Sequence, residues 1–457
     1  MWLPELGLAI GIEQGSYLGD QPGVAIFGMA RGGNAGSDCP AATQASRPKS
    51  TFTPSLYMGS LPTVVLAGCG YGAIATMEAL ADQAHLIAIN PYPYLVNSGM
   101  TTRLLSGRFS ADLVRIPMQG HFSRYGVRFL AGQVIQIDPY QQTVTLQQEG
   151  GRQTLIYDRL LLNMGRRVVS SVGEFAGAFR VRPMEALLAA HQHICRCWQQ
   201  AAAGDATPGL LTFVVVGGGC TGVELMGELV DLCRDLSQAT GIPFAQARLL
   251  LVSRSAHLAE GISERFSRLV EGSLRQQGVE ILLHTSVEGI LPDQVGLKTH
   301  SIPCRTTLWA GGLTASPVLA ESGLPLGSQG GVQVDPTFQV VGFPTIFAMG
   351  DCADFLLAQP IAHCPAEPGL LPKLGVFAVR AAPVVAHNLR SSLHGQPLAS
   401  FRPQRSVFIS VTVGNRQAVM QKGSLLWRGY GATVLKNWFD WRYMRRYKPV
   451  KWQDFMY

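Results

Sequence analysis

Thr63-Val64-Val65-Leu66-Ala67-Gly68-Cys69-Gly70-Tyr71-Gly72-Ala73 is the stretch on which the fold turns. Its five opening residues carry no charge and read as a strand buried on both faces, the kind found in parallel sheets. Glycines follow at once, then a helical pattern to about Ala84 and a second strand from Leu86 to Ile89. The same order returns later: Leu211 to Val216, then Gly217-Gly218-Gly219-Cys220-Thr221-Gly222, a helix to about Leu236 and a strand from Arg248 to Val252. A strand–turn–helix–strand unit is thus used twice in one chain. In such a turn the first glycine makes the bend, the second lets backbone approach a pyrophosphate, and the third lets helix pack on strand. Those places fall to Gly68, Gly70 and Ala73, with Gly72 between them, and to Gly217, Gly219 and Gly222. Two such turns, each bracketed by apolar strands, point to two dinucleotide sites.

The residue closing the second strand of each unit meets the adenosine ribose. In the first unit this is Asn90, which bonds a hydroxyl without the charge of the usual acid. In the second it is Ser253 followed by Arg254. An acid there would repel a 2′-phosphate, whereas a hydroxyl and a guanidinium attract one, so NADPH is favoured over NADH. The alternative is that Arg254 stacks on adenine or faces water.

Bulk properties narrow the classes. With 457 residues, 47% hydrophobic and 15% charged, the chain can bury several cores. Nine cysteines without a C-x-x-C pair fit neither a disulfide scaffold nor a zinc centre, so no metal is expected. No apolar run is long enough to span a bilayer, and the first residues lack the basic start of an export signal. The expected location is cytoplasmic, or peripheral on the cytoplasmic face of a membrane. Of the net charge of +7, +5 lies in residues 427–457, where seven Lys or Arg face two Asp. The rest is nearly neutral, which argues against a nucleic-acid partner.

The expected fold class is α/β: two Rossmann-like (three-layer ββα) dinucleotide-binding domains, the second inserted in the first, with a smaller C-terminal α+β region. The expected division is 1–60, a mobile extension rich in Gly, Ala, Ser and Pro; 61–182 and 306–395, the two parts of the first domain; 183–305, the second; and 396–457, the C-terminal region. Residues 127–164 read as alternating strands, Leu374 to Leu389 as helix, and about 401–422 as strand-rich.

Later motifs add a resemblance. Gly217 through Leu225, Leu308-Trp309-Ala310-Gly311-Gly312 and Ala348-Met349-Gly350-Asp351-Cys352-Ala353 resemble the pyridine-nucleotide-disulfide oxidoreductase superfamily, in its type II NADH dehydrogenase-like branch. Asn97-Ser98-Gly99-Met100, Pro372 through Arg380 and Tyr443-Met444-Arg445-Arg446-Tyr447 are similar to the oxidoreductase domain found fused to selenide, water dikinase. The resemblance implies FAD in the first site, NAD(P)H in the second, and hydride transfer from nicotinamide to flavin, then on to an acceptor, with quinone favoured. It implies that Asp351 bonds the ribityl chain, that Gly165, Gly311 and Gly350 lie along the cofactors, and that Glu224 orients the nicotinamide or handles a proton. It also implies that Lys373 and Gly375 face the flavin, where the Lys373 cation would stabilise the reduced, anionic ring. The chain departs from the branch in having Asn163-Met164-Gly165 for Ala-Thr-Gly and Phe377-Ala378-Val379-Arg380 where an Ala-Gln pair is usual, and it lacks the redox cysteine pair.

Two other readings stay open. A flavoprotein oxidising sulfur or selenium compounds would need a reactive cysteine, with Cys352 and Cys364 the candidates by position. A nucleotide-binding redox sensor would turn over little. For the tail, Trp427, Trp438, Trp441 and Trp452 interleave with cations. Such a segment suits a membrane interface, its apolar stripe being Val434, Leu435, Trp438 and Trp441; it equally suits packing on the body or in a homodimer.

Overall fold

The computed structural model describes residues 2–3, 8–9, 61–168, 177–314, 316–359, 361, 362, 364 and 369–456. Residues 1–60 and 61–457 form separate units. In the first, Trp2–Leu3 pairs antiparallel with Leu8–Ala9, and the rest of the expected 1–60 extension lies outside the described residues.

The second unit is built on two parallel sheets. In the first sheet β1 (Thr63–Ala67) leads through the glycine turn to α1 (Tyr71–Leu80) and β2 (His85–Asn90). Phe343–Ala348, Arg159–Leu162, β1, β2 and Arg128–Ala131 lie side by side and parallel, so β1 is central. Val64, Val65, Leu66 and Ala67 are fully buried, as a strand covered on both faces requires. Helix α1 ends at Leu80, short of the expected Ala84.

The second sheet repeats the plan with β3 (Thr212–Val216), α2 (Cys220–Thr240) and β4 (Arg248–Val252). Helix α2 outruns the expected Leu236 because its stop is Gly241, at φ +77°, whose N–H returns to the Ser237 carbonyl. This sheet also takes in Ala178–Arg180 and Thr306–Trp309, which lie just outside the 183–305 expected for the second domain. The connections on either side meet as a two-stranded ribbon, Arg167–Val168 against Leu313–Thr314.

Residues 127–164 divide between sheets. Arg128–Ala131 and Arg159–Leu162 join the first parallel sheet, and Gln133–Asp138, Thr143–Gln148 and Gly151–Ile156 form an antiparallel flap. Helix α3 (Gly375–Leu393) packs on α1. The C-terminal strands are Ile409–Thr412, Ala418–Lys422 and Leu425–Gly429, later than the expected 401–422, and they lead into α4 (Tyr430–Met444).

Helix α4 turns a largely polar face inward. Its buried residues are Ala432, Thr433, Lys436, Asn437 and Met444, while the expected stripe of Val434, Leu435, Trp438 and Trp441 is only half-buried. The chain then folds back: Trp441 meets Trp452 edge-on at 5.7 Å, and buried Phe455 meets Phe109 at 5.5 Å. These rings pack on the protein's own body. Among the described residues no helix is long and apolar enough to cross a membrane.

Candidate functional site

The two glycine turns are built alike, yet for different reasons at each glycine. Gly68 sits at φ +93° and Gly217 at φ +120°, conformations that L side chains rarely adopt. Each donates its N–H to the partner strand, Gly68 to Ile89 and Gly217 to Val252, both at 2.8 Å. Gly70 and Gly219 are the N-cap residues of α1 and α2, and no side chain caps either helix. The first N–H groups of both helices therefore lie open to an anion, and the helix dipole favours one.

At Gly219 an added Cβ would meet no protein atom within 4 Å, so the space over that turn is free for a pyrophosphate. At Gly70 the same atom would run into the Asn163 side chain, 2.7 Å from its Cγ. Asn163 thus packs against Gly70 beside the first turn, and its Nδ2 is buried without a hydrogen-bond partner among the described residues. A buried amide donor left unpaired costs about 1–3 kcal/mol. A phosphate or carbonyl oxygen of a bound dinucleotide would supply such an acceptor, so the residues of the cradle fit that group. Gly165, at φ +68°, opens beside it onto space, as does Gly312 at φ +126°. Gly311 lies close against the Trp309 ring.

Asn90 stands at the end of β2 beside the turn, its Oδ1 accepting from the Cys69 N–H at 3.2 Å. Its amide donates to the Tyr92 carbonyl at 2.7 Å, so its oxygen is the atom placed for further bonding. Ser253 is buried, its Oγ accepting from the Ser255 N–H at 3.2 Å, and it lies under Gly218. Arg254 is exposed and its side chain has no partner among the described residues.

Gly350, Asp351, Lys373 and Leu374 line one small cavity with Phe377 and Ala378. Gly350 takes φ +71° and Asp351 lies 3.9 Å from Arg182. Lys373 comes to this wall, but its ammonium is held by Asp354 at 2.6 Å and by the Ala353 carbonyl. Buried Asp354 also accepts from the Gln329 and Gly331 N–H groups, so the Lys373–Asp354 pair closes a loop at this wall. Gly375 begins α3 facing the Tyr71 ring, whose Cε2 an added Cβ would meet at 3.5 Å.

Glu224 is not a solvated helix residue. One carboxylate oxygen lies 3.2 Å from Lys436 Nζ on α4, and the other accepts from Thr102 Oγ1 at 3.3 Å. Tyr71, the first residue of α1, meets Tyr443 of α4 edge-on at 5.8 Å. Tyr71 Oη also lies 3.2 Å from Ser98 Oγ. Sequence reasoning passed over Tyr71, Thr102, Asp354 and Lys436; their partners are remote in the chain, and no local motif marks them.

The two candidate nucleophiles are poorly placed for thiolate chemistry. Cys352 is buried with its Sγ 3.3 Å from the Leu162 carbonyl and 3.2 Å from that of Met349, and burial pushes its pKa up. Burial pushes the Cys364 thiol up to about 12. Reactive cysteines need the opposite environment, exposed and electropositive.

The sequence pattern of the family described as pyridine nucleotide-disulphide oxidoreductase matches residues 62–376. The chain belongs to that family. Among curated relatives of this oxidoreductase, a probable NADH dehydrogenase of Dictyostelium discoideum is 23% identical over 304 residues, 64% of this chain and 67% of the relative. A type II NADH:quinone oxidoreductase of Staphylococcus aureus is 24% identical over 353 residues, 74% of this chain and 84% of the relative. Among solved structures, NDH2 from Plasmodium falciparum in complex with NADH superposes with a TM-score of 0.72 at 14% identity, covering 86% of this chain and 96% of that one. The sulfide:quinone oxidoreductase of Aquifex aeolicus gives 0.67 at 20%, covering 84% and 91%. At such identities these structures share the fold with this family member.

Proposed function

We propose that this chain is an FAD-dependent NAD(P)H:acceptor oxidoreductase with a quinone as the acceptor. One observation carries the reading: α4 touches both uncapped helices, at Tyr71 of α1 through Tyr443 and at Glu224 of α2 through Lys436. Seven residues along a helix span about 10 Å. The starts of the two phosphate-binding helices thus converge on one short stretch, as a site joining two dinucleotides end to end requires. Nicotinamide supplies a hydride and flavin accepts it, which is chemistry no side chain here provides.

The chain's part is to hold and exclude. The α1 and α2 N-termini bind the pyrophosphates; Asn163 offers its unpaired amide to the first dinucleotide, and Asp351, in the turn after Phe343–Ala348, bonds the ribityl hydroxyls. Glu224, fixed by Lys436 and Thr102, orients the nicotinamide end. Such alignment converts an encounter into a near-attack geometry. Arg254, exposed at the end of β4, carries the preference for NADPH over NADH, and Ser253 shapes the turn beneath it.

Within the family, Asn97 through Met100 and Tyr443 through Tyr447 favour kinship with the domain found fused to selenide, water dikinase. Names of relatives favour quinone as acceptor over sulfur or selenium compounds. A peripheral membrane contact belongs to the same reading. Leu425, Tyr430, Phe408 and Phe439 are exposed on the C-terminal region, with Lys422 over the Phe408 ring at 4.7 Å and Arg442 over Trp438 at 5.5 Å. Aromatic surface rimmed by cations suits an anionic bilayer, the habitat of a quinone.

The test is an anaerobic titration of the purified protein followed in the visible range. A yellow protein bleached by NADPH at lower concentration than by NADH, and reoxidised by a soluble quinone, is expected. A colourless protein that takes up no added flavin would refute the reading.

A further inference from the structure

Lys436 is an odd residue to find on the inner face of a C-terminal helix. It is 8% exposed, and an ammonium taken that far from water costs several kcal/mol unless it is paired. An apolar side chain would serve if α4 needed only packing there. Its partner is Glu224 at 3.2 Å, the residue assigned above to the nicotinamide end. Thr102 Oγ1 donates to the other oxygen from the short 3₁₀ helix Ser98–Leu104, so the carboxylate is gripped from two elements.

The register of α4 is itself fixed by the residues that follow Lys436. Asn437 accepts from Arg103 Nη1 at 2.5 Å and donates to the Phe455 carbonyl at 2.5 Å. Asp440, one turn on, faces Arg103 at 3.9 Å, and Tyr443 meets Tyr71. A buried ion pair is weak evidence of stabilisation, since desolvation offsets most of the attraction. It does fix direction, because both oxygens of Glu224 are held.

We propose that Lys436 is a positioning residue for Glu224, so that the nicotinamide end of the site is completed by the C-terminal helix and not by the two dinucleotide units alone. This rests on the reading of Glu224 given above. The basic, aromatic tail then has a role inside the enzyme besides any role at its surface.

The test is single-turnover bleaching of flavin by saturating NADPH in the full-length, flavin-loaded protein. Four forms are compared: wild type, Glu224→Gln, Lys436→Met and the double variant. Misplacing an orienting group by about 1 Å costs up to ~100-fold, so Lys436→Met is expected to slow bleaching by about 10- to 100-fold with flavin content unchanged. Lys436→Arg recovers most of the rate. In the Glu224→Gln background the lysine substitution adds no further loss, because the residue through which it acts is already altered. An equal fold-loss in both backgrounds means a general packing defect and overturns the proposal, as does a wild-type rate for Lys436→Met. If Glu224→Gln alone bleaches at the wild-type rate, the underlying role of Glu224 falls first, and that arm is read without reference to Lys436. Where Lys436→Met does not accumulate with flavin, Lys436→Gln gives the same comparison and keeps a hydrogen-bond donor.

Discussion

Replacing Gly222 with alanine separates the two cradles experimentally. Gly222 lies in the first turn of α2, where an added Cβ would come within 2.9 Å of the Gly217 carbonyl carbon and nearer still to its oxygen. Carbon atoms pack at about 3.5 Å or more, so the helix must withdraw by at least ~0.6 Å from the carbon and by more than about 1 Å to clear the oxygen. Overpacking of this kind costs about 1–3 kcal/mol of stability. The larger effect is functional: the N–H groups at the start of α2 retreat from the pyrophosphate, and Glu224, two residues on, moves with them. A misplacement near 1 Å is worth up to about 100-fold in rate. The first cradle, built from Gly68, Gly70 and Asn163 in the other sheet, is untouched. Gly222→Ala is thus expected to purify yellow with full flavin content, while its anaerobic bleaching by NADPH needs at least about tenfold more nucleotide and proceeds more slowly. Wild-type bleaching would refute the packing argument; parallel loss of flavin would refute the separation of the two sites.

Arg254→Gln removes an exposed cation, and a charge-assisted contact to a phosphate is worth about 1.5 kcal/mol or more, so KM for NADPH is expected to rise about tenfold with KM for NADH nearly unchanged. Burial holds the Glu228 carboxyl above its usual range, with Arg103 opposing. The folded state therefore keeps that proton to higher pH than the unfolded chain, and the group's contribution is full below about pH 4.3 and lost as pH rises through the folded value. Thermal melts should show wild type losing ground to Glu228→Gln on going from pH 5 to pH 8, by at most ~1.4 kcal/mol per pH unit; parallel curves would count against it. Cys352 and Cys364, with thiols raised by burial, are expected to escape iodoacetamide at pH 8 in the native protein and to react after unfolding, as peptide mass spectrometry would report. Flotation with vesicles rich in phosphatidylserine should carry the wild-type chain, and Leu425→Ser with Phe439→Ser should weaken it; equal flotation would remove the membrane contact.

The parts legible in the sequence were those where physics leaves one residue type. Gly68 and Gly217 need positive φ, and β1 and β3 must be apolar on both faces, so the duplicated unit announces itself. Asp351 and Gly350 were found by motif, and they do share a cavity wall with Lys373. What Lys373 does there was not legible, because its partner Asp354 reads as an ordinary loop acid until the loop closes on it. The inward face of α4 was hidden for a related reason. Thr433, Lys436 and Asn437 are polar and give no apolar signal at helical spacing, whereas Val434, Leu435, Trp438 and Trp441 do. Only the tertiary fold brings Arg103 and Glu224 across more than two hundred residues to meet them. Two strands of the second sheet, Ala178–Arg180 and Thr306–Trp309, were not legible for a simpler reason: they are too short to show periodicity.

With its amide assigned to the flavin dinucleotide as proposed, Asn163 ties the chain's survival to vitamin supply. Its stranded amide makes the empty protein less stable than the loaded one, and any ligand that binds only the native form deepens that gap in proportion to the logarithm of its concentration. In a riboflavin-starved cell, freshly made chains would linger in opened states that proteases recognise, so abundance would follow cofactor supply without a dedicated regulator.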